Sequence, residues 1–202
     1  MLPTELLMDE HRVIEQVLTC LEKMTAEARG SGKLNRPHAR DAVAFLRTFA
    51  DQCHHAKEEN QLFPLMEAKG FSREEGPTGV MRHEHDLGRG HVRAMSEALE
   101  GAAQGDAVAL NAFADHALAY VHLLRDHIGK EDQCLYPMAN QALSEADQQA
   151  LMAKFQHVEE EELGAGTHEN FLKIANDLAD HYQVPRAQPA PGHEGCGCHH
   201  HH

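Results

Sequence analysis

A chain of 202 residues with 18 basic and 32 acidic side chains carries a formal charge of −14 at pH 7, which disfavours nucleic acid and anionic membranes as partners. Hydrophobic residues make up 42%, enough for a packed core. No run of about 18 apolar residues is present, so no membrane-spanning helix is expected. The acidic segment from Met1 to Arg12 lacks the apolar core of a signal peptide, which makes the cytoplasm the expected location.

Helical spacing dominates the chain, and strand-like alternation is nearly absent. Leu6, Leu7, Ile14, Val17, Leu18 and Leu21 form one stripe and predict a helix over 4–28, ended by Gly30-Ser31-Gly32. Val43, Leu46, Phe49 and Ala50 predict a second over 37–62, with Pro64 kinking it or starting a new turn and Lys69-Gly70 closing the segment. Gly76-Pro77-Thr78 opens a third, to Ala103. After a turn at Gly105-Asp106 a fourth runs to Cys134 on the stripe Leu110, Phe113, Ala117, Val121, Leu124 and Ile128, with Pro137 at its end region. Four helices with short links predict an all-α fold: an antiparallel up-down-up-down four-helix bundle over residues 1–143.

Ser144-Glu145-Ala146-Asp147 reads as a capping box that starts a fifth helix, to Leu163. Gly164-Ala165-Gly166 breaks it, and Thr167 can cap a sixth, to Tyr182. This appended segment, 144–183, offers a face for a homodimer through helices 144–182, or a lid. From Val184 the prolines and glycines predict a disordered tail, 184–202, whose His199 to His202 has the form of a purification tag.

Histidine is the compositional outlier, at 18 residues, and imidazole both ligates metals and titrates near neutral pH. Five cysteines at irregular spacing do not read as a disulfide framework, and Cys53 and Cys134 read as small buried apolar side chains.

The chain repeats itself. Asp9-Glu10-His11 is echoed by His83-Glu84-His85. His54 and Glu58 followed by Leu62-Phe63-Pro64 are echoed, 73 residues on, by His127 and Glu131 followed by Leu135-Tyr136-Pro137. Residues four apart on an α-helix point to one side, about 6 Å apart along the axis, and can clasp one cation. Two hairpins related by a pseudo-two-fold axis would pool His11, His54, Glu58, His85, His127 and Glu131. Four imidazoles and two carboxylates suit a pair of first-row metals such as Fe, Mn or Zn, with the glutamates able to bridge. His55 and Glu59 have the same spacing and are the register alternative; matching the Leu-Phe-Pro and Leu-Tyr-Pro blocks selects His54 and Glu58.

These four blocks, in this order over about residues 4–140, resemble the bacterial hemerythrin-like family, also called HHE cation-binding domains. The resemblance implies a non-haem centre of two Fe ions, oxo- or hydroxo-bridged, inside an antiparallel four-helix bundle. It makes Glu58 and Glu131 carboxylate bridges and the four histidines terminal ligands, with Zn or Mn as other occupants. Oxygen-carrying members have a histidine four residues after the position of His85, where this chain has Arg89. The repeat pairs Arg89 with Glu15, and the two are expected to face each other near the metals as an ion pair, or with Glu15 as an extra ligand. Tyr120, seven residues before His127, is a candidate hydrogen-bond donor to a ligand carboxylate.

Two functional readings follow. One is a di-iron protein that binds or reacts with a diatomic or peroxide ligand (O2, peroxide or NO). The other is a metal-binding storage, buffering or regulatory module without turnover. A metal-free bundle would have to treat two H-x-x-x-E copies at one offset as chance.

Overall fold

The computed structural model describes residues 1–157 and 166–188. The fold is all-helical, with no strand among the described residues. In chain order the elements are α1 (Pro3–Ser31), α2 (Arg36–Phe45), π1 (Leu46–His55), π2 (Glu58–Leu62), α3 (Phe63–Ala68), α4 (Pro77–Gln104), α5 (Ala107–Lys130), π3 (Glu131–Leu135), α6 (Tyr136–Ala142), α7 (Glu145–His157) and α8 (Thr167–Tyr182). The stretches 36–68 and 107–142 are helical runs interrupted by π turns. The predicted last turn of the fifth helix, residues 158–163, and the tail from 189 lie outside the described residues.

Local chemistry accounts for the boundaries. Gly32 ends α1 at φ 74°, a left-handed conformation that favours glycine, and its N–H donates to the Ala28 carbonyl. Asn35 caps α2 by accepting from the His38 N–H, and Asp106 caps α5 by accepting from Val108 and Ala109. Before α7 the Asp147 N–H donates to Ser144 Oγ, while Asp147 Oδ2 accepts from the Ser144 N–H at 2.9 Å, the reciprocal capping box expected there. Thr167 is the first helical residue of α8 rather than its cap, which is Gly166 at φ 84°.

The prolines neither end nor simply kink their helices. Phe63, just before Pro64, donates its N–H to Glu58, five residues back; Tyr136, just before Pro137, does the same to Glu131. A proline ring clashes with the carbonyl four residues back and has no N–H to offer it. A widened turn immediately before the ring lets the helix continue, and π turns of this kind gather at functional sites.

Helix α4 lies along α5, α5 along α1, and α2 along α4, while α8 packs over α1 and α2. Two apolar clusters result. One holds Ile14, Leu18, Phe49, Val92, Leu124 and Ile128 together with Ala175, Leu178, Tyr182 and Val184. The other holds Leu7, Leu62, Phe63, Met81, Leu135 and Tyr136 together with Leu151 and Phe155 of α7. Along each long helical run the predicted ligands fall between these clusters: His11 between Leu7 and Ile14, His54 and Glu58 between Phe49 and Leu62, His85 between Met81 and Val92. A polar layer is thereby sealed by hydrocarbon above and below.

The apolar side of α8 is used within the chain's own core. The described chain also stays packed beyond Val184, which is buried, and the Ala187 N–H donates to Gln16 Oε1 at 2.5 Å. Disorder expected from residue 184 onward therefore does not describe 184–188. Cys53 is buried, whereas Cys134 is exposed, because it falls on the outer side of π3.

The helix over Ala107–Ala142 contains an 18-residue window of mean hydropathy 1.2, long and apolar enough to cross a bilayer by composition. Its apolar residues Phe113, Val121, Leu124 and Ile128 lie in the core, and it carries the buried His127 and Glu131, as a core helix does. At the far end of the α4–α5 pair, a Cβ on Gly101 would come 2.7 Å from the Ala109 Cβ. Gly101→Ala must push the two helices apart. It is expected to cost about 1–3 kcal/mol and to lower Tm by several degrees, measurable by calorimetry.

Candidate metal centre

Seven side chains converge between the two apolar clusters. His55, Glu58, His85 and His127 offer ligand atoms within 4.8 Å of one another, and His11, His54 and Glu131 do the same beside them. All seven are buried. The four histidines of the repeat turn Nε2 inward. Glu131 spans two of them, Oε2 at 3.2 Å from His11 Nε2 and Oε1 at 3.1 Å from His127 Nε2. Glu58 Oε2 lies 3.4 Å from His85 Nε2 and 3.8 Å from His54 Nε2. His85 Nε2 and His127 Nε2 approach to 3.0 Å.

The outward nitrogens are held by a second ring of carboxylates that obeys the repeat. His54 Nδ1 faces Glu10 at 2.9 Å and His127 Nδ1 faces Glu84 at 2.9 Å. His11 Nδ1 faces Asp132 at 2.7 Å and His85 Nδ1 faces Glu59 at 2.6 Å. A neutral imidazole that donates from Nδ1 presents its lone pair at Nε2, the inward atom. Each carboxylate is in turn anchored by a cation: Lys57 on Glu10, Lys130 on Glu84, Arg12 on Asp132 and Arg89 on Glu59. The four His–carboxylate contacts come as symmetry-related pairs, as do Lys57 and Lys130, whereas Arg12 and Arg89 play the same role from positions the repeat does not match. The signal was in the sequence, because Glu10/Glu84, Lys57/Lys130 and Glu59/Asp132 recur at the same offsets as the ligands.

Two breaks in the symmetry touch the inner layer itself. His55 corresponds to Ile128, and Tyr136 corresponds to Phe63. The His55 ring stacks on His85 at 3.8 Å between centroids. The Tyr136 hydroxyl donates to Glu58 Oε1 at 2.7 Å and sits 3.4 Å from His11 Nε2.

The inner atoms fit a metal. Buried His54 Nε2, Glu58 Oε2 and both Glu131 oxygens have no hydrogen-bond partner among the described residues. Such orphans cost free energy unless something positive sits among them. The titration directions agree. Burial and the neighbouring Glu131 push the Glu58 carboxyl well above its usual range. Burial also opposes ionisation of Glu131, but His127 and His11 outweigh it and hold Glu131 well below that range. Burial pulls His127 down, yet Glu131 and Glu84 raise it to about 9, while burial and His11 push His54 down to about 4. The cluster thus binds protons where cations would go, and metal uptake would release them.

Three expectations need correction. His54/Glu58 and His55/Glu59 are not alternatives: His54, His55 and Glu58 all reach the inner layer, and Glu59 holds His85 from outside. The two successive histidines lie in the widened π1 turn, in which the Ala56 N–H reaches the Asp51 carbonyl, and both reach the inner layer. Glu15 and Arg89 do not pair, and Glu15 is in neither cluster. Glu15 binds Arg12 at 2.9 Å, while Arg89 binds Asp51, Glu59 and Asp86. A two-fold axis puts counterparts at equivalent places rather than in contact, and the counterpart in role to Arg89 is Arg12. Tyr120 is buried against Gly88 and makes no hydrogen bond to a cluster carboxylate among the described residues; Tyr136 does.

Three uncharacterized mycobacterial proteins, two from strains of Mycobacterium tuberculosis and one from Mycobacterium bovis, are each 24% identical to this chain over 174 residues. The matched region is 86% of this chain and 66% of each relative, so the chain spans just under two thirds of their length. No solved structure matches it significantly. Residues 2–139 match the hemerythrin HHE cation-binding domain, and this stretch contains both His/Glu clusters. The chain belongs to the hemerythrin HHE cation-binding domain family.

Proposed function

We propose that the chain is a non-haem di-iron protein that binds or reacts with a small ligand, O2, peroxide or NO. The observation that carries this is the sharing of two carboxylates between two groups of inward-facing imidazoles. Glu131 reaches His11 with one oxygen and His127 with the other. His55, His85 and His127 with Glu58 would hold one metal, and His11 and His54 with Glu131 the other. The four helical runs 3–31, 36–68, 77–104 and 107–142 would form the antiparallel bundle around them, with 144–157 and 166–188 packed on its outside.

When bound, a pair of irons supplies shared redox change to a small ligand at an open position. The protein's part is orientation, exclusion and charge. The outer carboxylates fix the four imidazoles of the repeat, and the two apolar clusters cover the layer above and below. Tyr136 stays a hydroxyl, because burial and the nearby Glu131 and Glu58 push its pKa well up. It holds a proton at Oη against Glu58, at the edge of the centre.

The test is metal content per chain after removal of the terminal histidine run, with an optical spectrum in air, with peroxide and with NO. About two irons and ligand-dependent bands are expected. Two irons with no ligand-dependent change would leave a metal-holding module without turnover, and no bound metal would overturn the reading. Stripping the metals is also expected to lower Tm by roughly 10 °C. A ligand at about 1,000 times its Kd stabilises by about 4 kcal/mol, and each kcal/mol is about 2–4 °C in a domain of this size.

A further inference from the structure

The internal repeat is close to symmetric at the metals and sharply asymmetric beside them. On the His55 side, between π1, α4 and α5, lies a cleft of about 320 Å³ whose lining includes Arg47, Asp51, His55, Gly88, Arg89 and Arg93, with the Tyr120 ring at its floor. The corresponding positions in the other half are filled. Asp51 corresponds to Leu124, His55 to Ile128, Gly88 to Ile14 and Val92 to Leu18, and these four counterparts are all buried aliphatic side chains of the main cluster. One flank of the centre is sealed with hydrocarbon, and the other has a polar opening that reaches an inner-layer histidine.

Three features keep that opening clear and give it a sign. Gly88 offers no side chain, and a Cβ there would come 3.3 Å from Tyr120 Cε2. Arg89 is fixed across the cleft by Asp51 at 2.9 Å and by Glu59 at 2.7 Å. Arg47 and Arg93 are exposed and make no ion pair among the described residues. Asp51, Glu59 and Asp86 match Arg89, so the cleft's unpaired positive charge comes from Arg47 and Arg93, in a chain whose formal charge is −14. An unpaired guanidinium matches a planar oxyanion with parallel N–H donors, and a cleft of one sign concentrates the opposite ion against the overall field. His55 and Arg89 belong to the metal centre and its support, whereas Arg47 and Arg93 make no ion pair or hydrogen bond to the metal-centre residues among the described residues.

We propose that this cleft is a docking site for a small monovalent oxyanion, held by Arg47 and Arg93 and passed along Arg89 to the centre at His55. The proposal rests on the metal centre proposed above for its second half, delivery, but not for its first, docking.

The probe is nitrite. Titrated into the full chain loaded with diamagnetic zinc, it is expected to move the Nε–H signals of Arg47, Arg89 and Arg93 and the Gly88 amide saturably. The Kd should weaken about tenfold in R47Q/R93Q, a variant of two exposed side chains whose melting curve checks the fold. In the iron-loaded chain, nitrite association should slow about tenfold in the same variant and lose most of its salt dependence, a larger effect than on uncharged NO. No nitrite-dependent shift in the cleft, or equal slowing of nitrite and NO, would overturn the proposal. If the chain takes up no metal, the same titration still reads the cleft. Shifts there would support docking and overturn delivery, whereas metal uptake without cleft shifts would overturn docking and leave the centre standing.

Discussion

Glu131→Gln is expected to empty both metal positions together, not one. The carboxylate is fully buried and its two oxygens face different imidazoles, His11 on one side and His127 on the other. Glutamine keeps the shape but removes the charge and replaces one acceptor with a donor aimed at a cation. Two divalent ions would then be left with Glu58 as the only inner-layer carboxylate among the described residues. Loss of an outer partner alone costs about 10–100-fold in metal affinity, so loss of a shared ligand should exceed about 100-fold at both positions. Metal analysis should give fewer than about one metal per chain after dialysis. His55→Gln provides the contrast. It changes one of four side chains in a single cluster, and its repeat counterpart, Ile128, has no ligating atom. That variant should retain metal at both positions with an altered spectrum. If Glu131→Gln keeps two metals at wild-type affinity, the sharing of this carboxylate is wrong.

The contrast between these residues also marks what could be read from sequence. The repeat picked out the six residues His11, His54, Glu58, His85, His127 and Glu131, because inner-layer chemistry needs specific side chains at fixed helical spacing, and duplication shows that spacing twice. The same offsets carried Glu10, Glu84, Lys57, Lys130, Glu59 and Asp132, but single acidic and basic residues look like ordinary solvated faces until the histidines they hold are known. His55 stood as the register alternative because matching the Leu-Phe-Pro and Leu-Tyr-Pro blocks aligns His54, and not His55, with His127. In the structure both lie in a π turn and both reach the inner layer, and nothing in the repeat marks that turn. The pairing of Glu15 with Arg89 failed because contact was inferred from equivalence. The packing of α8 on α1 and α2 was not legible at all, since an amphipathic helix states that it has a partner but not which face will meet it.

Glu10→Gln and Glu84→Gln should weaken metal binding alike and differ widely in stability. The two residues have the same role, holding His54 and His127 through Nδ1, and each is anchored by a lysine three residues after its histidine. Both variants should therefore cost about 10–100-fold in metal affinity. Their surroundings differ: Glu10 and Lys57 are 5% and 0% exposed, whereas Glu84 and Lys130 are 14% and 44% exposed. Burial works against the Glu10 carboxylate, but Lys57 and His54 outweigh it and hold its pKa at about 2. A carboxyl depressed from about 4.5 to about 2 contributes roughly 3 kcal/mol, present above the unfolded value and lost as pH falls through that window. Removing one partner of a buried pair costs about 3–5 kcal/mol, so metal-free Glu10→Gln should melt roughly 6–20 °C lower. The Lys130 ammonium keeps its water when Glu84 is neutralised, and an exposed pair of this kind is worth about 0–1 kcal/mol. Thermal melts of the two metal-free variants, beside metal titrations of the same samples, separate the roles. Equal losses of stability would show that burial of the Lys57–Glu10 pair contributes nothing. Equal stability with unequal metal affinity would show that the two hairpins are not equivalent at the metals.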